Sequence, residues 1–331
     1  MKNKKGNVAV IAAIIAIIAV TAGIIGWKFA KKSPAQPAAV SQLTVQTQLA
    51  PTEQQQGKIS QKDVSNPENL NGEGKIFLDQ ADFVKDSANI YTEKNTGIKL
   101  YLSTEDWPFY DVGYPLSENK KSEINQVFEG LSLAFKKYPI SLLKNNLSRI
   151  YLMNDVKMDG FTIGGTLDLS TKSILMVAEN GKWEKKLEFN KNGIESTFHH
   201  EFAHVLSQKY GFFNDGNLID RWNKFIPKDF SYGAGSYNFI VNDLSQISED
   251  INQRCKDGFL SEYAKADEVE DFAVIAESMF SREDSISFWK DDYMQCKKVK
   301  GKTDVVIDFY KSLDPVFTNA YFKKWSDIGF N

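Results

Sequence analysis

From about Lys75 onward, apolar and polar residues alternate with frequent aromatics, and this pattern predicts a folded domain over 75–331. Ile76-Phe77-Leu78 and Ile98-Lys99-Leu100-Tyr101-Leu102 read as strands or strand fragments. From Ser117 to about Tyr138, the apolar positions Ile124, Val127, Phe128, Leu131, Phe135 and Tyr138 keep a helical period, and Pro139 ends the run. Ser148 to Met153 and Ser173 to Ala178 are two further β signals, with Asp159-Gly160 and Gly164-Gly165 reading as turns between them. A helix is then predicted from about Gly193 to Tyr210. Asn192 can cap its start, Gly211 suits the position after its end, and Ile194, Phe198, Phe202, Val205 and Leu206 form its buried side. Beyond Gly211 the chain reads as mostly helical with aromatic-rich loops through Trp222, Phe225, Phe230 and Tyr232. Helices are expected from Val241 to about Arg254, over Glu268 to Phe280, and from Thr303 to about Leu313, the last carrying Val305, Val306, Phe309 and Tyr310. There are no internal repeats. These elements are read as an α+β domain, with a small mixed sheet and a mostly helical C-terminal subdomain.

The first 74 residues have a different character. Lysines at positions 2, 4 and 5 precede an uncharged apolar run from Val8 to Trp27, 20 residues long, which suffices to cross a hydrocarbon layer of roughly 30 Å. Cleavable signal peptides have shorter apolar regions, about 7–15 residues, so residues 1–32 are expected to be an uncleaved signal anchor. The chain would then be a single-pass cell-membrane protein with its folded domain outside the cytoplasm, or a secreted one if cleavage occurs near Pro37-Ala38-Ala39. Lys28, Lys31 and Lys32 balance the leading lysines, so charge does not fix orientation. A pilin-type leader expects an acid where Ile11 stands. Residues 33–74 are polar, poor in aromatics and rich in Gln, Ala and Pro, a composition that cannot offset its ordering entropy, and they are expected to be a disordered linker.

A formal charge of −3 with scattered basic residues gives no sign of a nucleic-acid partner. The adjacent glycines Gly164-Gly165 lack the further glycines and lysine of a phosphate-cradling loop. Cys255 and Cys296 are too few for a disulfide scaffold and lack metal-clip spacing. Outside the cytoplasm they suit one disulfide worth on the order of 3–4 kcal/mol; otherwise they are two buried thiols.

The chemistry concentrates in Thr197-Phe198-His199-His200-Glu201-Phe202-Ala203-His204. All 3 histidines of the chain fall within these residues, and His200, Glu201 and His204 form H-E-x-x-H. On a helix, positions i and i+4 share a face, so both imidazoles reach one metal ion. Glu201, one residue round from His200, is close enough to take a proton from a water activated there. A catalytic zinc needs a third protein ligand. His199 points about 100° away from His200 on a helix and reads as an outer-sphere or surface residue. A carboxylate is the better source, and the run Glu268 to Phe280 supplies it: Glu270, Ala273, Val274 and Glu277 share one face, while Phe272, Ile275 and Met279 point into apolar packing. An acid beside an apolar stripe needs a cation. Small Ala273 lets the two helices approach.

These residues carry a resemblance. The chain is similar to the gluzincin metallopeptidases, most closely the lethal-factor-type group and related bacterial zinc-binding metallopeptidases. Those have H-E-F-x-H on one helix, here His200-Glu201-Phe202-Ala203-His204, and downstream a Tyr seven residues before an E-x-x-A glutamate, here Tyr263 and Glu270-Asp271-Phe272-Ala273. The layout Arg149-Ile150-Tyr151-Leu152, Gly164-Gly165-Thr166, Ser173-Ile174-Leu175-Met176 is also similar, and the likeness spans residues 120–325. It implies a zincin-like fold, Zn2+ held by His200, His204 and Glu270, Glu201 as general base, Tyr263 steadying the oxyanion, and a peptide or protein substrate. The family often places an acid four residues after the ligand glutamate, where this chain has Val274. That departure leaves Asp271 as an alternative third ligand, and leaves Asp271 or Glu277 to orient a ligand histidine.

The expected function is therefore a membrane-anchored zinc endopeptidase, with the strand at Ser173 to Ala178 as the edge of its substrate groove. The alternative is a catalytically inactive zincin-like surface module that binds a partner.

Overall fold

The computed structural model of the chain describes residues 77–109, 112–116, 121–158, 161–177, 191–233, 250–281 and 287–328. The chain divides into two units, Met1–Ser60 and Gln61–Asn331, and every described residue belongs to the second. The expected anchor (1–32) and linker (33–74) lie outside the described residues, among which no helix is long and apolar enough to cross a membrane.

The domain is mixed α/β. Among the described residues, eight strands form one mixed sheet: β1 (Phe83–Ser87), β2 (Ile90–Glu93), β3 (Lys99–Tyr101), β4 (Val112–Pro115), β5 (Arg149–Met158), β6 (Phe161–Thr162), β7 (Gly165–Asp168) and β8 (Ser173–Val177). Their order is β1-β2-β3-β5-β8-β7, and β4 and β6 pair with β5 as well. β5 is the axis: its first half runs parallel to β3 and β8, while its second half pairs antiparallel with β4 and β6. Both faces of the sheet's centre are buried, which is why β5 and β8 read as continuous apolar runs. Alternation sends Ile150, Leu152, Ile174 and Met176 into the main core under the helices. Tyr151, Met153 and Leu175 face a second, smaller core closed by Trp107 and Phe109.

β8 lies inside the sheet between β5 and β7, so it is not the groove edge expected of Ser173 to Ala178; among the described residues the edge on that side of the sheet is β7. Asp168 makes the difference. Its carboxylate accepts hydrogen bonds from the Ser170 amide and hydroxyl and the Thr171 hydroxyl, a side-chain-stabilised turn that folds β7 back onto β8 as a hairpin.

The helices are α1 (Lys121–Phe135), α2 (Ile140–Asn146), α3 (Lys191–Lys209), α4 (Gly216–Asn223), α5 (Ile251–Asp257), α6 (Glu268–Phe280), α7 (Lys297–Leu313) and α8 (Asn319–Ile328). α1 stops short of Tyr138 because the chain tightens into turns, with Lys137 N–H on the Ala134 carbonyl and Tyr138 N–H on that of Phe135, and Pro139 then opens α2. Phe77 forms an isolated bridge to Pro139, not a strand. α5 begins at Ile251, where the Asp250 carboxylate caps the Asn252 amide, so the helix expected from Val241 does not run through to Arg254. Its first part lies outside the described residues. α7 starts six residues before the expected Thr303.

α3 is the centre of the packing. Asn192 sits within its first turn instead of capping it, and Gly211 adopts φ 71° just past its end, a left-handed geometry suited to glycine. Phe135 and Tyr138 pack their rings on Phe198 and Phe202, with centroids 5.1 and 4.9 Å apart. The predicted apolar stripe is buried, but so are Glu195, His199, Glu201, His204 and Ser207. A helix enclosed this fully holds its polar side chains in fixed positions.

Candidate metal centre

α3 and α6 together build the site. α6 runs over the expected span because Asp267 caps it, its carboxylate accepting the Val269 and Glu270 amides at 3.0 and 2.8 Å. Glu270 therefore lies in the first turn, where the helix dipole favours a carboxylate. His200 Nε2 lies 3.0 Å from Glu270 Oε2 and 3.1 Å from His204 Nε2, and His204 Nε2 lies 3.4 Å from Glu270 Oε2. Two imidazoles and one carboxylate thus converge on a point.

Asp271 turns the other way. Fully buried, it meets Lys302 Nζ at 2.6 Å and accepts from the Tyr232 hydroxyl at 2.7 Å. Of the two acids the sequence leaves open, the structure brings Glu270 to the histidines. Glu277 lies two turns along the same face of α6, and its Oε2 accepts from His200 Nδ1 at 3.0 Å. Its Oε1 accepts from the Ser196 hydroxyl. The place left by Val274 is thereby filled from one turn further on. Ser196, four residues before His200 on the same helix face, is a partner that sequence reasoning missed, although that spacing is its signal.

Charge follows geometry. Burial works to lower the His200 imidazolium pKa, but hydrogen bonds with Glu270 and Glu277 outweigh it and lift the group well above its ordinary value. Burial likewise works to raise the Glu270 carboxyl, yet the neighbouring His204 and His200 hold it well below the usual carboxylate range. The centre demands positive charge. Zinc bonds of about 2.0–2.1 Å in a tetrahedron set ligand atoms about 3.3 Å apart, close to the three separations found here. The donor set fits the ion.

Glu201 is 6% exposed and lies beside this centre, its pKa raised by burial. The edge strand β7 passes it at Gly165, a residue that reads as a turn in the sequence. Tyr263 stands in a short 3-10 turn, Tyr263–Lys265, with its ring 6.1 Å from that of His200. Its hydroxyl hydrogen-bonds Glu270; burial and the charges of Glu270 and Glu201 push its pKa well up, so it keeps its proton.

His199 is neither on the surface nor next to the metal donors. It is wholly buried on the back of α3, stacked on Phe280 and hydrogen-bonded through Nδ1 to the Tyr138 hydroxyl at 2.9 Å. Beside it, buried Lys137 pairs with Glu195 and donates to the Phe280 carbonyl. This polar cluster ties α3 to α6 behind the donors, and sequence reasoning missed it because the contacts that Lys137 and Tyr138 make with α3 and α6 span 58 residues or more. Cys255 and Cys296 are joined in a disulfide between α5 and the residue before α7.

A mixed sheet carrying helices, with His, His and Glu side chains gathered from two of them closely enough to hold a metal ion, defines a mixed α/β domain with a candidate metal centre. Residues 142–313, more than half of the chain, match the family described as "Putative zinc-binding metallo-peptidase", and the chain belongs to that family. No curated protein and no solved structure matches it.

Proposed function

We propose that the chain is a zinc-dependent endopeptidase of zincin-like architecture, with His200, His204 and Glu270 as zinc ligands and Glu201 as general base. The observation that carries this reading is the convergence of three donor atoms, 3.0–3.4 Å apart, beside a buried acid. Membership of a family described by zinc binding and peptidase activity supports it.

Zinc bound there supplies Lewis acidity and lowers the pKa of a coordinated water to about 7. Glu201, its own pKa raised by burial, takes the proton from the attacking water and delivers it to the leaving amine. Tyr263 donates its hydroxyl proton in a hydrogen bond to the charge developing on the scissile carbonyl oxygen. Glu277 keeps the His200 ring in register.

The substrate lies along β7. Val177 N–H bonds the Gly164 carbonyl, and Gly165 stands opposite Met176. Antiparallel alternation therefore turns the amide and carbonyl of Gly165 and of Leu167 away from β8, toward the free edge, where an extended peptide can add as a further strand. An anchor at 1–32 and a linker at 33–74 would hold the peptidase domain (75–331) outside the cytoplasm. The Cys255–Cys296 disulfide is what an oxidising compartment allows.

The test is the zinc content of the purified protein, followed by incubation with a peptide library with and without chelator. Glu201→Gln is expected to retain zinc and lose hydrolysis. Undiminished cleavage by that variant, or cleavage by wild type that survives metal removal, overturns the assignment.

A further inference from the structure

Two adjacent glycines open the edge strand, and they differ in what surrounds them. A Cβ on Gly164 would meet nothing within 4 Å. A Cβ on Gly165 would come 3.0 Å from Cγ of Glu201, a tight contact, and 2.7 Å from Cδ and closer still to Oε1, distances that real Cβ atoms essentially never show, so the carboxylate would have to shift. Leu167, two residues along the same face of β7, packs into the main core. Gly165 is thus the missing side chain on the helix-facing side of the strand, and the Glu201 carboxylate fills the space.

Backbone conformation does not require this glycine. Gly165 is not among the residues with positive φ, so alanine could adopt its geometry, and glycine inside a strand weakens it. What remains is close approach. We propose, resting on the peptidase reading above, that Gly165 is a positioning residue for Glu201: its bare Cα forms the wall that sets where the general-base carboxylate stands. One residue then serves both reactants. Its Cα abuts the base, and its outward amide and carbonyl face the edge where the peptide is proposed to add. A side chain at 165 would push the carboxylate aside by up to about an ångström, a misplacement that can cost on the order of 100-fold in rate.

Gly165→Ala, Gly164→Ala, Glu201→Ala and the double variant Gly165→Ala/Glu201→Ala, made in the full chain, test this. Gly165→Ala should lower kcat by about 10–100-fold with KM and zinc content unchanged, while Gly164→Ala should match wild type in all three. A purely structural role for Gly165 would not separate kcat from KM and zinc in this way. Thermal midpoints supply a readout independent of hydrolysis: Gly165→Ala should be more damaging when Glu201 is present than in the Glu201→Ala background. If Gly165→Ala does not fold, recovery of folding in the double variant supports the proposal and failure to recover overturns it. Wild-type kcat in Gly165→Ala, or an equal midpoint change in both backgrounds, overturns it too. Should wild type bind zinc but cleave nothing, the peptidase reading fails alone, and the midpoint comparison still decides whether Gly165 sets the position of Glu201.

Discussion

Glu277 Oε2 accepts a hydrogen bond from His200 Nδ1 at 3.0 Å, seven residues beyond Glu270 on the same face of α6. Seven residues are nearly two helical turns, so one helix contributes both the donor that meets His200 Nε2 and the acid that grips its other nitrogen. The hydrogen bond fixes the ring's tautomer and orientation, leaving the Nε2 lone pair turned toward the centre. His204 has no such support: its Nδ1 is buried without a hydrogen-bond partner among the described residues. The two histidines are therefore held unequally, and His200 depends on Glu277. Glu277→Ala should weaken zinc binding by about 10–100-fold, measured by competition with a chelator of known affinity. Unchanged affinity would show that packing alone orients the ring.

Behind Glu270, the neighbouring residue anchors the helix. Asp271 and Lys302 are both fully buried and 2.6 Å apart. Lys302 also donates to the Gly258 carbonyl at 2.7 Å and lies 3.8 Å above the Phe259 ring. Removing one partner of such a pair leaves a buried charge uncompensated, at a cost of about 3–5 kcal/mol. Lys302→Met should lower the unfolding free energy by that order in urea titrations. Asp271→Asn combined with Lys302→Met should lose less than the two single changes summed, because no unpaired charge remains.

The parts of the fold that the sequence carries plainly are those whose signals are local. α6 runs over the span expected of it because Glu270 and Glu277 share one face while Phe272, Ile275 and Met279 are buried in apolar packing, although Asp271 stands away from the other two acids. β5 and β8 stand out because burial on both sides makes their centres wholly apolar. The metal helix is marked by its motif. β1, with the sequence Phe-Val-Lys-Asp-Ser, and β7, Gly-Thr-Leu-Asp, have no such pattern. They are strands because of what they pair with, a relationship that hydrophobic period does not encode. The same holds at the site. Spacing brings His200 and His204 to one face, whereas the role of Gly165 depends on a helix that begins 26 residues later, and that of His199 on Tyr138, 61 residues earlier.

The disulfide spans a sequence separation of 41 residues and joins α5 to the start of the helix that carries Lys302. Arg254 reinforces the junction, its guanidinium 2.6 Å from buried Asp292. Closing a loop of this size restricts the unfolded chain by about 4 kcal/mol in the chain-entropy account. Cys255→Ser with Cys296→Ser should lose stability of that order. A reductant should lower the wild-type thermal midpoint and leave the double variant's unchanged.

His199 makes stability depend on acid. Burial holds its pKa down at about 4, against an ordinary 6.5, despite the Glu195 carboxylate nearby. Between those two values the unfolded chain takes up a proton that the folded chain refuses, so stability falls as pH drops through 6.5 and levels off below 4. At about 1.4 kcal/mol per pKa unit for a fully buried group, the loss is about 3 kcal/mol. Acid carboxylates contribute to acid unfolding as well, so the informative quantity is a difference between proteins. His199→Gln offers an amide to the Tyr138 hydroxyl in place of the ring nitrogen but carries no titrating group. It should be less stable than wild type at pH 7 yet show a shallower decline in unfolding free energy from pH 7 to 4. Parallel pH profiles for the two proteins would mean that His199 takes up its proton as readily in the folded chain as in the unfolded one, and that burial does not keep its ring neutral.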